Sequence, residues 1–320
     1  MSFNGFKSII QEGDIVVLYV SFNQMHPIKA VKQITTKKGN LVDNIFQTPY
    51  GALHCAELIG KEFGSKINLS KGYVFVLQPT SELWTLMLPH RTQIIYTPDI
   101  SMIVLQLELK PGSIVIESGT GSASLSHALI RTIKPTGHLY TFDFHEERTK
   151  TAQQEFEEHG YGDYVTVAHR DVCATGFGNG LDQKADAIFL DLPHPWKTIE
   201  YAVQCLKEGG RICSFSPCIE QVQKTCTHLT KFGFTEIETI EVLQTQLSVQ
   251  SRNMTSLNFD FLKEEGSNNS MDYDKSKEKQ NVRVVTAVSP TTQAGHTGFL
   301  TFATLIPSWS TQGDLDDSIN

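Results

Sequence analysis

Basic residues are in the minority in this chain. Its 27 Lys and Arg stand against 35 Asp and Glu, a net charge of -8. That balance argues against a protein that grips nucleic acid unaided through a basic face, and leaves room for a local basic groove or a basic partner. The six cysteines (Cys55, Cys173, Cys205, Cys213, Cys218, Cys226) form no C-x-x-C pair. With no secretory leader expected, they read as reduced thiols that fill the core, and neither a metal centre nor a disulfide frame is expected. No apolar run approaches the ~20 residues that cross a bilayer, so no membrane association is expected. No internal repeat is visible. Against these absences, 40% hydrophobic and 19% charged residues over 320 positions suit one large domain or two smaller ones. Such a core needs no metal or disulfide to fold.

The first 80 or so residues read as short strands. Asp14 to Val20, Ala30 to Ile34 and Tyr73 to Leu77 are rich in β-formers and are punctuated by Gly13, Lys38-Gly39-Asn40 and Lys71-Gly72. No helical pattern separates them, which predicts a small antiparallel domain over 1–80. A connecting helical segment is expected over 81–112, with helices at Ser81 to Leu88 and Asp99 to Glu108. From residue 113 the pattern alternates. Strands are predicted at 113–117, 138–143, 164–169, 186–191 and 210–215, and helices at 122–133, 145–159, 197–206 and 219–231. Alternation of this kind predicts a doubly wound parallel sheet. Two further β runs, Thr235 to Val242 and Gly298 to Leu305, predict a closing antiparallel pair joined by a long excursion. Residues 263–281 within it are polar, and they are expected to be disordered, as is the tail 311–320.

Two turns stand out. Glu117-Ser118-Gly119-Thr120-Gly121-Ser122 and Asp191-Leu192-Pro193-His194-Pro195-Trp196 each follow an apolar run, and so each lies where a buried parallel strand ends. In open α/β sheets ligands bind at that edge. Gly119 and Gly121 let the backbone turn tightly and approach a ligand. The third glycine of the dinucleotide fingerprint is absent, because position 124 is Ser124. Asp143 and Asp171 end the next two strands, where an acid meets ribose hydroxyls or an adenine amino group. Glu117, immediately before the turn, repels a pyrophosphate but suits a cationic methionine moiety. This favours S-adenosyl-L-methionine over NAD.

The prolines after Asp191 fix φ and remove N–H donors, giving a rigid loop. Methyl transfer to a ring nitrogen needs positioning more than acid–base power, and a carboxylate stabilises the charge that develops on the base. His194 has no ligand-like spacing to another His or Cys, so no metal is expected.

With these residues in view, the chain resembles the catalytic subunit of eukaryotic tRNA (adenine-58-N1)-methyltransferase. The specific stretches are Glu82 to Leu86, Leu88 to Tyr96, Glu117 to Ser122, Asp191 to Trp196, Cys213 to Gln221 and Gly295 to Gly298. The resemblance implies an α/β class I methyltransferase (Rossmann-like) fold with a seven-stranded sheet and a small N-terminal β domain. It implies S-adenosyl-L-methionine as donor and N1 of adenine 58 in the tRNA T loop as acceptor. On it, Glu117, Gly119, Thr120, Gly121, Ser122 and Ala123 hold the methionine end, with Gln93 and Ile94 nearby. Asp143 takes the ribose position, where the family often has Glu, and Arg148 follows in the same motif. Asp171 and Val172 match the adenine pair. Asp191 is the catalytic acid and also borders the cofactor. Thr92, Tyr96, Leu192, Pro193, Ser214, Ser216, Pro217, Cys218, His296 and Thr297 match tRNA-facing segments. His194 departs from the small residue of the family. The resemblance also implies a nuclear heterotetramer of two catalytic and two homologous non-catalytic chains, whose partner would supply basic surface.

Two other readings remain at this point. An NAD-dependent oxidoreductase shares the fold class, but Ser124, Glu117 and the Asp191 loop count against it. A non-catalytic RNA-binding scaffold needs neither turn, and both are intact.

Overall fold

A computed structural model of the chain describes residues 3–36, 38–245, 247–257, 279–290 and 297–307. Two compact units emerge: one runs to Val242 and resumes at Gly298, and the other lies within Leu243–Thr297.

The first unit opens with eight short strands. These are β1 (Ile15–Ser21), β2 (Gln24–Lys29), β3 (Gln33–Thr35), β4 (Leu41–Asp43), β5 (Ile45–Thr48), β6 (Gly51–His54), β7 (Lys66–Leu69) and β8 (Gly72–Leu77). Four make an antiparallel sheet in the order β2-β1-β8-β7, and β3-β4 and β5-β6 are separate hairpins. Val16, Leu18, Leu53, Leu58, Val74 and Val76 form the core of this region. Two helices follow, α1 (Ser81–Met87) and α2 (Thr97–Gln106).

The alternating region then runs β9 (Ile114–Ser118), α3 (Ser124–Ile133), β10 (His138–Asp143), α4 (Glu146–His159), β11 (Val165–His169), α5 (Val172–Thr175), β12 (Ala185–Asp191), α6 (Ile199–Cys205), β13 (Leu206–Ser216), α7 (Ile219–Lys231) and β14 (Phe234–Ile240). The second unit holds β15 (Ser248–Leu257) and β16 (Lys279–Val288), paired antiparallel with each other. The last strand, β17 (Phe299–Leu305), returns to the first unit. The large sheet has seven strands in the order β11-β10-β9-β12-β13-β17-β14. Its pairs are parallel except those of β17, which runs antiparallel to both β13 and β14.

Neighbouring residues of β9 and β12 point to opposite faces, and both faces are covered. Val115 and Phe189 belong to one core cluster, Ile116, Ile188 and Leu190 to the other. All five are at most 1% exposed. Burying each aliphatic or aromatic side chain stabilises the fold by about 1.5–3 kcal/mol relative to exposure. This rigid pair of strands is where the strand order reverses: from β9 the chain proceeds to β10 and β11 on one side, then crosses to β12 and β13 on the other. The crevice at such a reversal is the expected ligand site.

Several boundaries differ from expectation for local reasons. Thr80, not Ser81, caps α1, its hydroxyl accepting from Leu83 N at 3.2 Å. The second helix begins at Thr97 with Pro98 in its first turn, so Asp99 lies buried inside that turn instead of capping it. Ala30–Lys32 is not a strand; β2 stops at Lys29 and β3 starts at Gln33. The helix expected at 122–133 starts two residues late, because Ala123 is left-handed at φ 60°. The one expected at 197–206 is a 3₁₀ turn over Pro195–Thr198 followed by α6. Of the 263–281 segment expected to be disordered, residues 279–281 are in β16; residues 263–278 and the tail 311–320 lie outside the described residues.

Candidate active site

The glycine turn bends on left-handed backbone that side chains disfavour, with φ of 100° at Gly119 and 53° at Gly121. A Cβ at Gly119 would collide with the backbone carbonyl of Asp191, and one at Gly121 would come within 2.8 Å of Thr92 Oγ1. The ends of β9 and β12 are thus pressed together at backbone level. Gly119 N–H donates to the Phe142 carbonyl at 2.9 Å, which ties the turn to β10 as well.

Glu117, Asp143, Asp171 and Asp191 all line the resulting crevice, and the first, second and last act on one another. Glu117 is 1% exposed, and its Oε2 accepts from Ser126 Oγ and Thr141 Oγ1, both at 2.6 Å. Thr120 Oγ1 in turn lies 2.6 Å from Thr141 Oγ1. Burial pushes the Glu117 carboxyl up to about 7; the two hydroxyls pull against that, and the negative charges of Asp191 and Asp143 add to it. Asp143, also buried, accepts from Gly121 N–H at 2.9 Å and His145 N–H at 2.8 Å, one bond on each oxygen. Arg148 stands 3.7 Å from the same carboxylate. Asp191 ends β12 and is partly exposed to the crevice. Its carboxyl is pushed up to about 6, first by desolvation and then by the charge of Asp143. Glu117, Asp143 and Asp191 repel one another electrostatically. A cation set among them relieves their mutual repulsion.

The crevice has two lobes that share Gly119 and Asp191. The smaller is bounded by Gln93, Ile94, Glu117, Thr120, Gly121 and Phe189. The larger, a cleft of about 470 Å³, is bounded by Asp143, Phe144, Arg148, Asp171, Val172 and the 191–194 loop, with Arg170 and Lys197 at its rim. Asp171 Oδ1 caps α5, accepting from Cys173 N at 3.0 Å and Ala174 N at 3.3 Å, while Val172 is buried beneath it. Ala123, expected at the methionine end, is 1% exposed and does not line either lobe.

A strap over residues 91–95 roofs the smaller lobe. Ser122 Oγ accepts from Arg91 N–H at 2.9 Å and Thr92 N–H at 3.1 Å. Ser124 Oγ donates to the Ile95 carbonyl at 2.9 Å. The absent third glycine is therefore explained, since position 124 needs a hydroxyl to hold the strap. Arg91 closes the arrangement with a two-pronged ion pair to Glu155 on α4, at 2.5 and 2.9 Å.

The residues expected to face RNA divide. Tyr96, Pro193, Pro217 and Cys218 are exposed, Thr92 and Leu192 partly so. Ser214 and Ser216 are each 1% exposed within β13, their hydroxyls without a hydrogen-bond partner among the described residues, so they do not present a surface. Thr297 is exposed and belongs to the second unit; His296 lies outside the described residues. Ser126, Thr141 and Phe189 were not singled out by sequence, and Ser124 only as the residue in place of a third glycine. The polar Thr141 between Tyr140 and Phe142 in β10 was the one available signal.

A profile of the family described as tRNA methyltransferase complex GCD14 subunit matches residues 72–305. The tRNA (adenine(58)-N(1))-methyltransferase catalytic subunit of Dictyostelium discoideum is 43% identical over 317 residues, covering 94% of this chain and 98% of that protein. The chain belongs to the GCD14 family. The corresponding catalytic subunit of Candida albicans is 44% identical over 262 residues, covering 80% of this GCD14-family chain and 75% of that one. Among solved structures, a SAM-dependent O-methyltransferase from Thermotoga maritima superposes with a TM-score of 0.71 at 25% identity, covering 94% and 96% of the two chains. The tRNA (m1A58) methyltransferase TrmI from Aquifex aeolicus shares the fold, with a TM-score of 0.67 at 23% identity and coverage of 94% and 100%. The class I methyltransferase fold of the GCD14-family chain therefore agrees with the sequence expectation.

Proposed function

We propose that this chain is the catalytic subunit of a tRNA (adenine(58)-N(1))-methyltransferase that uses S-adenosyl-L-methionine. The observation that carries the reading is the placing of the Asp191 carboxylate at the junction of the two lobes, with its own backbone held against Gly119. Near-full-length identity of 43% to a catalytic subunit so named supports the substrate.

The residues fit the cofactor. The glycine cradle has no room for a Cβ, and the surrounding carboxylates suit a cationic ligand carrying hydroxyls. Asp143 and Arg148 would take the ribose, with Asp171 and Val172 beside the adenine. Glu117, Gly119, Thr120, Gly121 and Ser122 would enclose the methionine end under Gln93 and Ile94. When bound, S-adenosylmethionine supplies an electrophilic methyl group. Asp191 accepts a hydrogen bond from the exocyclic amino group of the target adenine, which directs N1 inward, and its charge stabilises the methylated, cationic base. Pro193 and Pro195 keep that carboxylate in place. N1 lies on the Watson–Crick edge, so the adenine must be unpaired or turned out before it reaches Asp191. Tyr96, Leu192, Pro193, Pro217 and Cys218 are the exposed neighbours assigned to RNA. Ser214 and Ser216 would contribute only after β13 is locally uncovered, and Thr92 serves the strap first.

The catalytic-subunit kinship implies a partner subunit. A heterotetramer of two such chains with two homologous non-catalytic ones would supply the basic surface that a net charge of -8 lacks. Nuclear residence rests on family resemblance, and imaging of a tagged chain tests it. Incubation with partner, tRNA and labelled donor, read by mass spectrometry of position 58, tests the activity; an unmodified adenine there with bound donor defeats the reading.

A further inference from the structure

A buried histidine pair behind the glycine turn is not used by the chemistry above. His127 is on α3 and His159 ends α4; they are 0% and 2% exposed. His127 Nδ1 lies 2.7 Å from the carbonyl oxygen of Ala123, and His127 Nε2 lies 2.8 Å from His159 Nδ1. A carbonyl can only accept, so Nδ1 of His127 carries the proton. Its Nε2 is then the acceptor, and His159 Nδ1 the donor. Both tautomers are fixed by Ala123.

That carbonyl has an unusual need of a partner. Ala123 is the residue just before α3, and its C=O ordinarily accepts the first helical bond. Here the backbone N–H of His127 is 3.4 Å away, a long contact, and the imidazole supplies the short one. Ala123 is also held at φ 60°, ψ 26°, a conformation that a non-glycine residue adopts at some cost. Its N–H closes the turn by donating to the Thr120 carbonyl at 2.8 Å. Thr120, Gly121 and Ser122 bound the smaller lobe, and the imidazole of His127 is the short donor to the Ala123 carbonyl that ends this turn. The pair is boxed in by rings: Phe3 lies 4.4 Å from His159 and 5.3 Å from His127, Trp84 at 4.7 and 5.5 Å. Phe156 and Tyr161 lie 5.3 and 5.6 Å from His127. The imidazole cannot swing away from its carbonyl.

We infer that His127 is a positioning residue for the cofactor: its Nδ1–H holds the Ala123 carbonyl and so keeps the glycine turn in the shape that receives the methionine end of the ligand. The inference rests on the reading that the crevice binds S-adenosylmethionine. His159 fixes the tautomer that makes this possible, and through Phe3 the start of the described chain packs onto the same device.

The test is calorimetric titration of S-adenosylhomocysteine into the full chain assembled with its partner subunit. An asparagine amide nitrogen falls where Nδ1 is, whereas a glutamine amide nitrogen falls where Nε2 is. His127→Asn is expected to bind within about threefold of the parent, and His127→Gln and His127→Leu about tenfold or more weaker, the loss of one hydrogen bond to a buried carbonyl. Melting temperatures run alongside. A purely structural histidine would rank the variants by stability alone, whereas a positioning role ranks them by the presence of the Nδ1-like donor. Equal affinity of His127→Asn and His127→Gln overturns the inference, and so does parent-like binding by His127→Leu. If His127→Leu does not fold, the Asn and Gln comparison decides alone. A parent protein that fails to bind S-adenosylhomocysteine defeats the cofactor reading itself, which separates the two failures.

Discussion

At the scale of the residue, two carboxyl groups of the crevice give up their protons less readily than free carboxyls do. Glu117 is pushed up to about 7 and Asp191 to about 6. Below those values each holds a proton, and a bound sulfonium gains little from it. As pH rises through that range both ionise, and the attraction grows. The affinity for S-adenosylmethionine relative to the uncharged-sulfur homologue S-adenosylhomocysteine is therefore expected to increase between pH 5 and 8, with net proton release on binding at about pH 6. Titration calorimetry in buffers of different ionisation enthalpy checks both. A preference that stays flat over that interval, or proton uptake, contradicts the placing of these charges. The acids at strand ends were readable in sequence because a polar residue terminating an apolar run has few other places to go. The hydroxyls serving Glu117 were not, because Ser126 and Thr141 reach it across 9 and 24 residues and neither sits in a turn.

At the scale of the element, the glycine turn and the strap work as one clamp. Gly119→Ala places a methyl group against the Asp191 carbonyl at a φ of 100°. Its expected cost is about 1–3 kcal/mol of stability, read as a lower melting temperature, together with loss of donor binding. Arg91 and Glu155 have side chains 19% exposed each. A double-mutant cycle through Arg91→Ala and Glu155→Ala is expected to show coupling of about 0.5–1 kcal/mol, after discounting for solvent screening. The effect should fall on KM for the donor, with kcat little changed, since the pair acts on the roof of the smaller lobe. A change confined to kcat would place the strap elsewhere in the reaction. Alternating strand and helix patterns made most of β9 to β14 legible, but the four-residue α5 was missed because it is too short to show a helical period. The β15–β16 hairpin was missed for the opposite reason. With Val249, Met254, Val282 and Val285 exposed on a two-stranded ribbon, its sequence shows no buried face to read. Ser214 and Ser216 failed as surface residues because β13 is an inner strand of the large sheet, where either face is covered.

At the scale of the whole molecule, an acidic chain has to act on a polyanion. The sequence shows the shortage of basic charge, and the structure shows a crevice lined by Glu117, Gly119, Gly121, Asp143 and Asp191 within this one chain. The doubly wound fold class followed from local patterns; the acceptor followed only from kinship, since no single side chain in the crevice spells adenine 58. The central claim is that Asp191, at the meeting point of the two lobes, carries methyl transfer to that base. The most direct measurement is mass spectrometry of tRNA after single-turnover incubation with labelled S-adenosylmethionine and the chain assembled with its partner, comparing parent with Asp191→Ala. The account predicts labelled 1-methyladenosine at position 58 with the parent. With Asp191→Ala it predicts a rate lower by about 10²–10³, and S-adenosylhomocysteine affinity within about tenfold of the parent. Near-parental methylation by the Asp191→Ala variant would contradict it.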